Sequence, residues 1–451
     1  MKIAKNMHPV LALPLICWAF FGATAAGAAP TAFINVNVVP MADESIVAGQ
    51  TVIIADGLIV AIGNVDSIAV PEGATVVDGT DRYLMPGLAE MHAHLPGASA
   101  PDLDQILTLF AVNGITTIRS MLGQPSHLAL RQKLLDNTQF GPRMIASGPS
   151  LNGDSVDGPD DGARKVRAQY AAGYDFVKIH PGLSADEFTA IATTANELGM
   201  PFAGHVPVAV GVSNALRLGM ASIDHLDGYI VAMMPANIDR SGGYGGFLDV
   251  LLANQVIEEQ LDIMAEATAA SGTWNVPTQS LFEHRVNDVP VAELRIRPGT
   301  QFMPEPTLQQ WERAKERQLE ERGFNAEVAA HAIAIRRKLI LALHQAGAGL
   351  LLGSDAPQVF NVPGYSVHQE LGFLVAAGLT PYEALQTGTT AVAQFLGSNT
   401  GVVAVGKEAD LILLDANPLI DIRNAHRIHG VMLRGQWFTA AKLYSRLVQN
   451  P

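Results

Sequence analysis

Pro86-Gly87-Leu88-Ala89-Glu90-Met91-His92-Ala93-His94 reads as the end of a buried β-strand that carries two histidines on one face. Residues two apart in a strand point the same way. His92 and His94 are therefore expected to project together, and two neutral imidazoles side by side seat a divalent metal. Working downstream, the pattern becomes strand then helix, repeatedly. Strand candidates end near Glu90, Ser120, Ser147, Lys178, His205, His225, Gln279 and Asp355, which makes eight. Ser184 and Glu187 form a capping box that opens a helix to Leu198, with Gly199 closing it, and Thr380-Pro381-Tyr382-Glu383 opens another. Eight alternating units predict an α/β fold, a (β/α)8 TIM barrel over residues 87–397. The last two gaps between strands are long. They include a charged helical region, 307–337, which is either an insertion over the barrel mouth or a solvated outer helix pair.

Outside the barrel the pattern is short Val/Ile-rich runs broken by Gly and Asp, at 51–55, 58–63 and 74–78, and again at 410–415 and 430–437. Segments 29–86 and 398–451 are expected to pair into a small β-sandwich domain. The first 28 residues carry Lys2 and Lys5, a short apolar run at 10–21, and small residues ending Ala26-Gly27-Ala28, the pattern of a cleaved signal peptide. The expectation is an exported chain, periplasmic or secreted, with no stable membrane span after cleavage. Cys17, the sole cysteine, would leave with that peptide, so disulfides and thiolate ligands are excluded. The formal charge of −14 argues against a nucleic-acid partner. The 48% hydrophobic content supports a large core.

His205, His225, Lys178 and Asp355 each follow an apolar run, and the C-terminal strand ends of such a barrel converge on one site. Lysine is the unusual member. An ammonium repels metal, but a desolvated amine is nucleophilic and can capture carbon dioxide as a carbamate, whose two oxygens can bridge two cations.

With these segments in hand, the chain resembles the amidohydrolase superfamily, in its imidazolonepropionase-like or Xaa-Pro dipeptidase-like branch. The matching stretches are 86–94, Phe176-Val177-Lys178-Ile179, Gly204-His205-Val206, Ile223-Asp224-His225-Leu226, Gly353-Ser354-Asp355-Ala356-Pro357 and the tail from Gly406 to Pro418. The resemblance implies two divalent metal ions, with zinc expected. His92, His94 and Asp355 would hold the more buried ion and His205 and His225 the other, with Lys178 bridging as a carbamate. It implies a small-molecule amide substrate, such as a dipeptide or N-acyl amino acid, attacked by a metal-bridging hydroxide. Asp355 would shuttle the proton. Tyr229 is a candidate for stabilising the oxyanion, and His180 for touching substrate. Glu90 and Ser120 stand where the family usually has Asp. Val208 stands where a mononuclear deaminase usually has Glu, and Lys178 is present, which ranks that rival below the hydrolase; a metal-free binding protein on the same fold ranks below it because all six proposed ligands are intact. A homo-oligomer is left open.

Overall fold

A computed structural model describes residues 29–235, 237 and 246–449. The expected signal peptide, 1–28, lies outside the described residues. The fold is mixed α/β. Strands Leu88–Ala93, Ile115–Ser120 and Arg143–Ala146 form one parallel sheet, and Val177–Ile179, Phe202–Gly204, Ser222–Asp224 and Trp274–Val276 form a second. A parallel bridge from Ser147 to Phe176 connects the two. Leu350 bridges to Asn275, and Ala356 bridges back to Ala93. The eighth expected strand is thus present as two isolated bridges. Asp355 between them has φ +64°, which no extended ladder tolerates. The seventh ends at Val276 rather than Gln279: Pro277 lacks a donor, and Thr278 turns left-handed at φ +45°.

These strands are short and apolar because both faces are covered. Val177 and Ile179 join the core that contains Phe188 and Ile191 of helix Ala185–Leu198, leaving Lys178 to face the other way. That helix opens on the expected box: Glu187 N donates to Ser184 Oγ, and Ser184 N to Glu187 Oε2.

The two ends of the chain do pair, but in one continuous sheet. Its order is Gln436–Thr439, Ile428–Leu433, Leu411–Leu414, Tyr83–Pro86, Thr31–Val38, Val47–Ala55 and Leu58–Asn64, with Thr75–Asp78 also on Thr31–Val38. Phe33 and Trp437, with three strands between theirs in that order, meet edge to face at 5.0 Å. The sheet is therefore folded over on a core of its own, which includes Val52, Leu84, Leu411 and Met432.

The 307–337 region falls in helices Glu305–Leu319 and Ala326–Gln345. Neither is merely a solvated outer helix: Leu308, Trp311, Ile335 and Leu339 are buried in the main core, and Arg336 is 1% exposed. Among the described residues no helix is long and apolar enough to cross a membrane.

Candidate metal centre

His92 and His94 emerge from Leu88–Ala93 with their rings 5.5 Å apart. His225 follows Ser222–Asp224, its ring 4.4 Å from that of His92 and 4.6 Å from that of His205. A strand would turn His225 away from the face used by Asp224. Its left-handed backbone, φ +64°, brings the imidazole back. Asp355 completes the ring: Oδ1 lies 3.2 Å from His94 Nε2 and 3.7 Å from His92 Nε2, and Oδ2 lies 3.8 Å from His225 Nδ1. Lys178 enters from below, Nζ 3.8 Å from Asp224 Oδ2. Gly204 leaves room for it, since a β-carbon there would meet Lys178 Cδ at 2.9 Å. The structure thus brings together His92, His94, Lys178, His205, His225 and Asp355. His180 stands beside them, its ring stacked 5.1 Å from His205.

Tyr229 is not among them. It is fully buried, and its hydroxyl contacts Thr268 Oγ1 at 2.9 Å and Asn275 Oδ1 at 3.0 Å. The expected oxyanion role finds no support in that position.

Three residues offer one ligand atom each within 4.8 Å of one another: His92, His94 and Asp355. His92 Nε2, His94 Nε2, Asp355 Oδ1 and Lys178 Nζ are buried without a hydrogen-bond partner. Buried polar atoms are normally satisfied, so a convergent set of orphans is what a cation site looks like before its ion is considered. The charge states agree. Burial, then the Lys178 charge, pushes His94 down to about 3 and holds His92 well below the usual histidine range. Burial lowers His225 in the same way. All three are neutral donors. Burial lowers the Lys178 amine to about 8, against the pull of Asp224 and Asp355. It also raises the Asp355 carboxyl well above the ordinary carboxylate range, against Lys178.

Several functional neighbours escaped the sequence reading. Asp224 Oδ2 sits 2.9 Å from His92 Nδ1, while Oδ1 accepts from Arg119 Nη2 and Ser222 Oγ. Asp227 Oδ2 contacts His205 Nδ1 at 3.0 Å and accepts from Val206 N. Glu90 accepts from the backbone N–H groups of His92 and Ser354, tying the first strand to the Asp355 turn. Burial raises that carboxyl to about 8. The signal for Asp224 was present in Ile223-Asp224-His225. Asp227 needed the turn geometry.

The family sequence model described as "Amidohydrolase family" matches residues 83–438. The chain belongs to the amidohydrolase family. No curated protein matches it. Among solved structures, this amidohydrolase is similar to a bottromycin amidohydrolase at 23% identity and TM-score 0.70, covering 93% of this chain and 90% of that one. It is similar to a Xaa-Pro dipeptidase with bound methionine in its active site at 21% and 0.66, covering 91% and 100%. It is also similar to an A. niger ochratoxinase at 20% and 0.63, covering 91% and 96%. At these identities the likeness is one of fold.

Proposed function

We propose that this amidohydrolase is a metal-dependent hydrolase on a (β/α)8 barrel, cleaving a C–N amide-type bond in a small molecule such as a dipeptide or an N-acyl amino acid. The carrying observation is the convergence of orphaned, neutral imidazoles and a buried carboxylate at strand ends far apart in sequence. The barrel reading is supported by parallel pairings that return from Ala356 to Ala93. The substrate class is supported by the fold shared with a Xaa-Pro dipeptidase.

His92, His94 and Asp355 would hold one divalent ion, zinc being the expected one. His205 and His225 would hold a second, with Lys178 bridging as a carbamate formed by its neutral amine and carbon dioxide, with loss of a proton. When bound, such a pair supplies Lewis acidity toward the substrate carbonyl and a water acidified toward neutrality.

The chain's own residues do the rest. Asp355, as a carboxylate that burial makes more basic than usual, takes the proton of the attacking water and returns it to the leaving nitrogen. Asp224, itself pinned by Arg119, orients the His92 ring. Asp227 does the same for His205, and Glu90 fixes the backbone that carries His92. His180, half-buried beside His205, is the proposed substrate contact. Residues 1–28 are proposed as a removed export signal.

The test is metal analysis of the purified protein, followed by assay of the zinc-loaded enzyme on a dipeptide and N-acyl amino acid panel. About two ions per chain and amide cleavage are expected from a paired site. One ion with ammonia release would point to a deaminase, and no metal to a binding protein.

A further inference from the structure

Arg336 lies on helix Ala326–Gln345, 111 residues along the chain from His225, yet its guanidinium reaches beneath the site. Nη1 donates to His225 O at 2.7 Å, Nη2 to Pro277 O at 2.9 Å, and Nε to Gln279 Oε1 at 2.9 Å. Its face lies 4.4 Å from the centre of the Phe282 ring. One planar fork therefore spans the turns that follow two neighbouring strands, Ser222–Asp224 and Trp274–Val276.

Both turns hold conformations that a β-carbon disfavours. His225 and Leu226 have φ +64° and +53°, and Thr278 has φ +45°. Such residues persist only where the surroundings over-determine them. These two turns also carry the pair that sets the His225 ring, since His225 Nδ1 lies 2.8 Å from Thr278 Oγ1. With Nδ1–H donating to that hydroxyl, the Nε2 lone pair is left for a cation. Glu370 anchors the far side, accepting from Gln279 N at 2.9 Å and Ser280 N at 2.6 Å, and its carboxyl faces the Arg336 guanidinium.

We infer that Arg336 is a positioning residue for the second metal position, fixing the His225 imidazole by tying its turn to the turn of Thr278. This rests on the reading of His225 as a ligand given above. Lysine cannot replace it, because an ammonium makes point contacts and cannot span three acceptors as a fork.

The test titrates the metal-free protein with cobalt(II), read by its visible ligand-field bands, with near-ultraviolet circular dichroism reporting the fold. The wild type is expected to take two equivalents. Arg336→Lys is expected to fold and keep the first, with the second weakened roughly tenfold or more and its bands altered. Thr278→Val provides a second arm. If both residues act through the His225 ring, the double variant is weakened far less than the product of the single effects. Two unchanged equivalents in Arg336→Lys, or multiplicative effects in the double variant, overturn this inference alone. A wild-type chain that binds no cobalt overturns the reading of the site and this inference with it.

Discussion

His92 Nδ1 and Asp224 Oδ2 lie 2.9 Å apart in a fully buried setting, and neither atom makes any aligned hydrogen bond. A carboxylate behind a histidine fixes its tautomer and raises its basicity as a ligand. Asp224 is in turn held by Arg119, which donates through Nε to Met91 O at 2.7 Å and so grips the same strand as His92. Asp224→Asn keeps the shape and removes the charge. Zinc affinity, measured by competition with a chromophoric chelator, is expected to fall about 10–100-fold. An affinity within twofold of wild type would remove Asp224 from the site.

In the proposed mechanism Asp355 serves as both ligand and proton carrier, so its replacement separates chemistry from folding. Asp355→Asn should fold, with a melting temperature near wild type, and lose about 10³-fold or more in kcat on whichever amide the panel identifies. Near-normal turnover in that variant would leave the mechanism without its proton carrier.

Tyr229→Phe should do little to catalysis. The lost hydroxyl belongs to a buried contact with Thr268 and Asn275, so the expected change is roughly 1 kcal/mol of stability, read by urea denaturation, with kcat within a few-fold. A hundredfold fall in kcat with stability unchanged would restore the oxyanion role.

Which residues were legible follows from what a strand pattern encodes. His92, His94, Lys178, His205, His225 and Asp355 could be read because each ends an apolar run, and a converging set of strand ends needs no knowledge of turns. Tyr229 misled because four residues after His225 looks like proximity. The short helix Tyr229–Ala232 instead sends its hydroxyl to helix Gln260–Ser271 and strand Trp274–Val276. That Asp224 faces the cluster beside His225 depends on the left-handed backbone of His225, which no periodicity reveals. Arg336 is legible only in three dimensions, since its acceptors lie 57 to 111 residues away. The terminal strands could be recognised, but not that one sheet would fold over to set Phe33 against Trp437.

The pH dependence of stability should carry the mark of Glu370. Burial raises this carboxyl to about 7 from an ordinary value of 4.5, although Gln279 N and Ser280 N both donate to it. The protonated form is thus favoured more in the folded than in the unfolded chain. Between those two values the native state binds more protons than the unfolded one, so stability falls as pH rises. The contribution is fully present below pH 4.5 and is lost as pH rises through about 7. Glu370→Gln removes this titration while keeping an acceptor for one backbone N–H. Melting temperatures of both proteins, measured without metal from pH 4.5 to 8, isolate the group, because other titrations are common to the two. The wild type should lose stability relative to Glu370→Gln as pH rises across this range. Parallel curves, or a difference of opposite sign, would show that the Glu370 carboxylate is ionised in the folded protein throughout, held there by its two backbone donors and Arg336.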